Sequence, residues 1–235
     1  MSSINYVSAA EAVKLIHSGD HVYIQGSTSI PEVLLSELAN RGHELRDVTL
    51  YSAFAVAKGE SPYCKPEFKD SFLVNSMFVS NAVRKWIADG YGTMTPRFLG
   101  EVPALFRQGI CPVDVALLNC SMPDENGYVS FGVSADLATS AAECAKVRIA
   151  QINPQVPFSY GDPVIHVSKL DAAVLVDDTL VEVPTAVPTE KEIKIGEYIA
   201  EHIPDGATLQ IGVGGIPNAV IHALAGHKHL GLHTE

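Results

Sequence analysis

Three closely spaced glycines and one glutamate are the residues of this sequence best suited to chemistry. The segment Gly212-Val-Gly-Gly follows a short apolar run, and Glu235 lies 20 residues after Gly215 (235 − 215 = 20). The backbone of a glycine-rich loop can approach a ligand closely, because no Cβ stands in the way. A carboxylate beside such a row of N–H donors can act as a nucleophile beside an oxyanion hole.

Two other interpretations of this segment remain open on spacing alone. In a dinucleotide-binding fingerprint, a third glycine completes the loop and an acid about 20 residues beyond the first glycine binds a ribose. Pro217 occupies the place of that third glycine. The remaining interpretation is a purely structural turn between a strand and a helix.

The elements predicted around the glycines bring the loop and the glutamate to one edge of a sheet. Residues 208–211 predict a strand, Pro217 suits the first turn of a helix that continues over 218–225, and 229–233 predict a second strand. Such a crossover is almost always right-handed and joins parallel strands. Parallel strands end at the same edge, where open α/β folds bind ligands. We therefore expect the glycine loop and Glu235 to face each other across one crevice.

The composition excludes several classes of protein. Of 235 residues, 18% are charged and 47% hydrophobic, and the net charge of −11 without a long basic run argues against a nucleic-acid partner. Lys14, His17 and Asp20 interrupt the N-terminal apolar pattern, so neither a signal peptide nor a membrane span is predicted. The four cysteines form no CxxC pair, and no His or acid spacing indicates a metal site. We expect a cytoplasmic protein without a metal or a tightly bound cofactor.

The rest of the chain alternates predicted strands and helices, which is typical of an α/β fold. Strands are predicted at residues 21–25, 48–54, 72–79, 113–119, 128–132, 147–152 and 172–176, and helices at 9–17, 31–40, 81–89, 101–108, 135–145 and 190–202. Polar, proline-bearing residues 59–69 predict a surface loop. The proline-rich residues 183–188 predict a linker. We therefore assign residues 1–183 to one domain, and 184–235 to a linker and the start of a second domain.

An internal repeat appears when Pro31 is placed on Pro217, an offset of 186 residues (217 − 31 = 186). Without gaps, Gly26 then meets Gly212, and the apolar residues of two predicted helices coincide. Helix, turn, strand, loop and proline recur in one order, which favours a true repeat. The first copy runs about 180 residues before the linker, whereas the second has barely begun at Glu235. We therefore expect that the second domain is incomplete and that more chain follows.

Several longer motifs resemble family I of the coenzyme A transferases. The closest branch is that of the acetyl-CoA hydrolases and transferases, which includes 4-hydroxybutyrate and butyrate:acetate CoA-transferases, and this chain is similar to its N-terminal half. The matching segments are Gly212-Val-Gly-Gly-Ile-Pro-Asn, Leu232-His-Thr-Glu235, Pro103-Ala-Leu-Phe-Arg, Val113-Asp-Val-Ala-Leu-Leu, Ser121-Met-Pro-Asp-Glu-Asn-Gly-Tyr-Val-Ser-Phe-Gly and Ile152-Asn-Pro-Gln-Val-Pro.

The resemblance implies a fold, a catalytic residue and a binding loop. The fold would be α/β, with tandem related open domains whose sheets are largely parallel. Glu235 would be the catalytic residue. The residues implied to contact coenzyme A are Gln210, Ile211, Gly212, Val213, Gly214, Gly215 and Asn218.

The resemblance also implies an acyl-CoA:carboxylate CoA-transferase that works by ping-pong kinetics through a glutamyl-CoA thioester at Glu235. Coenzyme A would be substrate and carrier, and the other partners would be acyl-CoA and short-chain carboxylic acids such as 4-hydroxybutyrate, butyrate or acetate. The enzyme would be a homo-oligomer. An acetyl-CoA hydrolase of the same family is one alternative, and a nucleotide-binding or structural module is the other.

Overall fold

The structure is a computed structural model that describes residues 4–56, 59–183 and 187–234. It divides into two compact units, unit 1 with residues 1–182 and unit 2 with residues 183–235. In the described ranges, no helix is long and apolar enough to cross a membrane. Glu235 lies outside the described residues, as do positions 184–186 of the predicted linker.

Both units alternate strands and helices. The described part of unit 1 contains α1 (Ala9–Ala12), β1 (His21–Ile24), α2 (Glu32–Asn40), β2 (Val48–Ala53), β3 (Phe72–Phe78), α3 (Asn81–Ala88), β4 (Gly92–Met94), α4 (Val102–Arg107), β5 (Val115–Cys120), β6 (Tyr128–Ser130), α5 (Ala138–Cys144), β7 (Val147–Ile152), β8 (Val164–His166) and β9 (Ala172–Leu175). The described part of unit 2 contains α6 (Glu190–Ala200), β10 (Thr208–Leu209), α7 (Gly215–Ala223) and β11 (Gly231–Leu232).

Seven strands of unit 1 form one parallel sheet in the order β4-β3-β2-β1-β5-β7-β9. The chain moves outward from β1 to β4 and then returns to the other side of β1 with β5. Every residue of β5 is buried, which suits a strand covered on both faces. The α/β fold with a largely parallel sheet is therefore confirmed.

An apolar layer lies on each face of this sheet. Successive side chains of a strand point to opposite faces. Leu117 accordingly packs in one layer with Leu34 of α2, and its neighbour Leu118 packs in the other layer with Phe106 of α4. The helices thus cover both faces, as a parallel sheet requires.

The prediction that residues 59–69 form a surface loop is wrong for two aromatic residues. Tyr63 is 1% exposed and Phe68 is 5% exposed, and both belong to a core layer. The ring centroids of Phe68 and Phe72 are 5.9 Å apart in an edge-to-face arrangement. The polar composition described the exposed positions of the segment correctly, but a single 3-10 turn (Pro66–Phe68) is enough to bury its rings.

Three short strands differ from the predictions. β6 was predicted as a strand, but it pairs antiparallel with β8 in a separate ribbon instead of joining the main sheet. β4 and β8 were not predicted at all. Each has only three residues, too few to display the alternation by which a strand is recognised.

Both units open with a helix that is capped in the same way. At the start of α1, the Ser8 side chain accepts the backbone N–H of Glu11, and the Glu11 side chain accepts the backbone N–H of Ser8. At the start of α6, the Thr189 side chain accepts the backbone N–H of Glu192, and the Glu192 side chain accepts the backbone N–H of Thr189. These are two capping boxes, each of which satisfies two otherwise unpaired N–H groups at a helix start.

The turns that follow α1 and α6 are also held by equivalent backbone hydrogen bonds. Gly19 has a φ of +84° and donates its N–H to the carbonyl of Arg46 at 3.0 Å. Gly206 has a φ of +77° and donates its N–H to the carbonyl of Lys228 at 2.9 Å. In each unit this bond ties the start of the first strand to the start of the second.

The residues that follow Arg46 and Lys228 both have a left-handed backbone conformation. Asp47 has a φ of +57°, and His229 has a φ of +56°. Positive φ is uncommon outside glycine, so its recurrence at equivalent positions supports the internal repeat independently of side-chain identity.

Candidate functional site

The glycine loop of unit 2 presents unpaired backbone donors. The N–H groups of Gly212, Val213 and Gly214 have no hydrogen-bond partner among the residues that the structure describes. All three residues are exposed, with Val213 at 92%. Free N–H groups that converge before a helix can bind an oxyanion or a polarised carbonyl.

The backbone conformation itself requires glycine at position 214. Gly214 precedes α7 with a φ of +130° and a ψ of −180°, a region that is essentially restricted to glycine. The helix then begins at Gly215, two residues before Pro217, so Pro217 lies in its first turn as predicted. Pro217 is tolerated there because its missing N–H would have had no intrahelical partner.

Helix packing explains the glycine at position 215. A Cβ at Gly215 would lie 2.0 Å from Oε1 of Glu192, the capping residue of α6. Further along the same pair of helices, a Cβ at Gly196 would lie 2.7 Å from the carbonyl carbon of Ala219. Both glycines therefore lie where the two helices are in contact. At Gly196 a side chain would clash with backbone, and at Gly215 with a carboxylate that the capping box holds in place.

Neither packing nor conformation accounts for the glycine at position 212. A Cβ there would meet no described residue within 4 Å, and its φ does not fall in the left-handed range. Among the predicted contacts, Gly212 is thus the one whose glycine identity is best explained by the approach of a molecule from outside.

The charge at the start of α7 bears on the kind of ligand. The backbone N–H and the hydroxyl of Thr189 donate to Oε2 of Glu192 and lower the pKa of Glu192, which keeps it ionised. Its other oxygen lies against Gly215, so a carboxylate already occupies the amino end of the helix. A pyrophosphate bound there, as in dinucleotide-binding folds, would meet a like charge.

The remaining predicted contacts lie on either side of these glycines. Gln210 is exposed at the end of β10. Ile211 donates its N–H to the hydroxyl of Thr234 at 3.0 Å. Asn218 is half-buried in the first turns of α7 and donates its N–H to the carbonyl of Gly214 at 3.2 Å.

The two strands that flank the site are parallel, as predicted. Thr208 pairs with Gly231, and Leu209 with Leu232. Both strands therefore end at one edge of the unit, the glycine loop following β10 and Thr234 following β11. Glu235 is the next residue along the chain, and its assignment to the site stays a prediction.

Two residues near this site were missed from the sequence. Glu192 was predicted only as part of a helix, although the Thr189-x-x-Glu192 spacing is a recognisable capping-box signal. Thr234 carried no signal of its own, because its partner Ile211 is 23 residues away.

The four cysteines are poor competitors as nucleophiles. Burial raises the pKa of each thiol, to about 12 for Cys64, so the thiolate is scarce at neutral pH. The described residues contain no group of three or more His, Cys, Asp or Glu that could hold a metal ion.

Comparison with known proteins identifies the family. Residues 4–188 match the model of the acetyl-CoA hydrolase/transferase N-terminal domain. The chain belongs to this family. The resemblance seen in the sequence motifs is thereby confirmed.

Relatives within the acetyl-CoA hydrolase/transferase family include named CoA-transferases. The chain is 39% identical to the 4-hydroxybutyrate coenzyme A transferase of Clostridium kluyveri over 229 residues, which cover 97% of this chain and 53% of that protein. It is 37% identical to the crystal structure of the 4-hydroxybutyrate CoA-transferase from Porphyromonas gingivalis, with a TM-score of 0.82 over 98% of this chain and 54% of that one. RipA from Yersinia pestis gives 31% identity and a TM-score of 0.90 over 98% of this chain and 56% of that one. The chain thus spans about half the length of the relatives it matches.

Proposed function

We propose that the complete protein is an acyl-CoA:carboxylate CoA-transferase and that Glu235 is its nucleophile. The observation that carries the proposal is the open glycine loop, whose three free N–H groups follow a strand parallel to the one that leads to Glu235. Gly212 supports it further, since no contact with a described residue requires glycine there. The named transferases among the relatives supply the reaction class.

The proposed reaction begins with attack on the thioester. A carboxylate oxygen of Glu235 adds to the thioester carbonyl carbon, the carbon–sulfur bond breaks, and the coenzyme A thiolate leaves a mixed anhydride. The thiolate then adds to the glutamyl carbonyl carbon, which releases the first acid as its carboxylate and leaves a glutamyl-CoA thioester. A second carboxylate repeats these steps in reverse.

The residue types suit this sequence of steps. Each tetrahedral intermediate carries an oxyanion, and a donor from the glycine loop is expected to stabilise it by about 3 kcal/mol. Carboxylate and thiolate are both already ionised, so no general base is required. The residues proposed to contact coenzyme A remain those named from the sequence: Gln210, Ile211, Gly212, Val213, Gly214, Gly215 and Asn218.

The substrates are proposed from the relatives. Both 4-hydroxybutyrate CoA-transferases point to 4-hydroxybutyrate or a similar short-chain acid as one acyl group. The resemblance of the sequence motifs adds acetate or butyrate as the other. We also retain the expectation of a cytoplasmic homo-oligomer in which further chain supplies more coenzyme A contacts. An acetyl-CoA hydrolase is the second candidate, because the family model covers hydrolases and transferases alike.

A nucleotide-binding module is the less favourable alternative. Glu192 places a negative charge at the start of α7, and Pro217 replaces the third glycine of the fingerprint. Both features oppose a pyrophosphate seated on the first turn of α7, as the dinucleotide fingerprint requires.

Mass spectrometry of the complete protein tests the proposal. After incubation with 4-hydroxybutyryl-CoA or acetyl-CoA in the absence of an acceptor, we expect an adduct of the mass of coenzyme A on the peptide that contains Glu235. Addition of acetate should remove the adduct and yield acetyl-CoA, whereas loss of the adduct to water alone would identify a hydrolase. An adduct on a cysteine or on Ser27 would contradict the mechanism.

A further inference from the structure

One hydroxyl group holds together the two strand ends that flank the candidate site. Oγ1 of Thr234 accepts the N–H of Ile211 at 3.0 Å and donates to the carbonyl of Ile211 at 2.6 Å. A single side chain thus satisfies both backbone groups of one residue on the neighbouring strand.

This contact replaces a step of the parallel ladder. The ladder proceeds by backbone bonds from Gly231 N–H to the carbonyl of Ala207 and from His233 N–H to the carbonyl of Leu209, each 2.9 Å. In a regular parallel pair, the next step would use backbone groups of residues 233 and 235 to satisfy residue 211. The Thr234 hydroxyl instead accepts the N–H of Ile211, in place of the carbonyl of residue 233, and also donates to the carbonyl of Ile211.

The contact joins the residue before the glycine loop to the residue before the proposed nucleophile. Ile211 immediately precedes Gly212, the first glycine of the loop, and Thr234 immediately precedes Glu235. The hydroxyl therefore fixes the distance between the residue before the donor loop and the residue before the proposed nucleophile.

We propose that Thr234 is a positioning residue for the transfer reaction. This inference rests on the proposed function, since it assigns Thr234 the task of holding Glu235 in register with the glycine loop. Both hydrogen bonds are exposed to solvent, so their share in the stability of the unit is small. Reaction rates depend far more steeply on the placement of a nucleophile, where an error of about 1 Å costs about a hundredfold.

Three variants of the complete protein test the proposal. Thr234→Val keeps the shape and the β-branching but removes the hydroxyl, and we expect kcat to fall about a hundredfold. The KM for acyl-CoA should stay within about threefold and the melting temperature should not change. Thr234→Ser restores the hydroxyl and should return kcat to within about threefold of the wild type. Thr208→Val, on the partner strand, removes a hydroxyl that makes no hydrogen bond among the described residues, and it should leave kcat unchanged.

The outcomes separate this inference from the proposed function. A wild-type enzyme that forms no coenzyme A adduct at Glu235 would overturn both. A wild-type enzyme that forms the adduct, together with a Thr234→Val variant of normal kcat, would overturn only the role of Thr234. Equal losses in Thr234→Val and Thr234→Ser would do the same, because the hydroxyl would then not be the cause. If Thr234→Val does not fold, the comparison of Thr234→Ala with Thr234→Ser decides in the same way.

Discussion

Gly26 and Gly212 occupy equivalent places after the first strand of their units, yet only Gly26 is required by the packing of its own unit. A Cβ at Gly26 would lie 2.1 Å from the carbonyl oxygen of Ala53, so the loop of unit 1 is pressed against the next strand. A Cβ at Gly212 would meet nothing within 4 Å in the part of the chain that the structure describes. One glycine serves packing inside the protein, and the other leaves space outside it.

The hydrogen bonds of the two loops show the same contrast. In unit 1, Ser27 donates its N–H to the carbonyl of Phe54 at 2.8 Å, and Val56 donates its N–H to the carbonyl of Ser27 at 3.1 Å. In unit 2, the N–H groups of Gly212, Val213 and Gly214 remain free within the described residues. A repeated fold can thus close one copy of a loop and keep the other open for a ligand.

Replacing Glu235 is the strongest test that only the open copy carries the chemistry. Glu235→Gln keeps the size of the side chain but exchanges a carboxylate for a far weaker nucleophile, and we expect the transfer rate of the complete protein to fall at least 10⁴-fold. Binding of acyl-CoA should change little, because the loop is untouched. Steady-state transfer assays and calorimetry measure the two effects.

The matched control is Glu201→Gln, a change of the same chemistry at an exposed residue just after α6. It should transfer coenzyme A at the wild-type rate. Near-normal turnover by Glu235→Gln would show that the chemistry lies elsewhere in the protein.

Alanine at the two equivalent glycines should separate stability from affinity. Gly26→Ala is expected to destabilise unit 1 by about 3 kcal/mol, because the backbone at Ala53 must move. Gly212→Ala should leave the free energy of unfolding unchanged and weaken acyl-CoA binding about tenfold, or about 1.4 kcal/mol. Urea denaturation and calorimetry distinguish these results.

Gly226→Ala is the control for the loss of glycine itself, since a Cβ at this exposed residue meets nothing within 4 Å. It should change neither quantity. If Gly212→Ala proved as destabilising as Gly26→Ala, the contrast between a packed and an open loop would be wrong.

A smaller effect is expected at the amino end of β1, where the carboxylate of Asp114 accepts a backbone hydrogen bond from the strand. Asp114 accepts the backbone N–H of His21 at 2.9 Å and the ammonium of Lys146 at 2.7 Å. Burial raises the pKa of Asp114, but these hydrogen bonds outweigh burial and lower it to about 2. Because the folded-state pKa is depressed, the stabilisation is complete above about pH 4 and is lost as the pH falls to 2.

Asp114→Asn should therefore destabilise unit 1 at pH 7 by roughly 1 kcal/mol after allowance for solvent screening. It should also flatten the dependence of unfolding free energy on pH between about 4 and 2. Asp70→Asn, at an exposed residue of the same unit, should preserve that dependence. Chemical denaturation at several pH values measures the free energy of unfolding and its dependence on pH. If the two variants showed the same dependence, Asp114 would not be the group responsible for it.

Much of the fold was predictable because its signals are local. The apolar run of β5, the Ser8 cap of α1 and the turn before β10 each depend on a few adjacent residues. Contacts between distant segments were not predictable in this way. Gly196 lies against Ala219, and nothing in either neighbourhood announces the other.

The features of the candidate site likewise fall into local ones, which were predictable, and ones that depend on distant segments, which were not. The glycine loop and the parallel strands around it followed from local pattern, and the family followed from longer motifs. The pattern predicted one shared role for Gly212, Gly214 and Gly215, whereas the structure gives each a separate reason: open space, backbone conformation and helix packing. Those reasons depend on atoms that only the folded backbone brings together.

The left-handed residues Asp47 and His229 have a consequence for how the two halves of such a protein diverge. An acid and an imidazole hold φ values that differ by one degree, +57° and +56°, before the second strand of each unit. After a gene duplication, selection at this position would then act on the path of the main chain and restrict the side chain only to types that tolerate a positive φ, such as Asp, Asn, His or Gly. Descendants of the same duplication should be recognisable by torsion angles long after their amino acids have stopped matching.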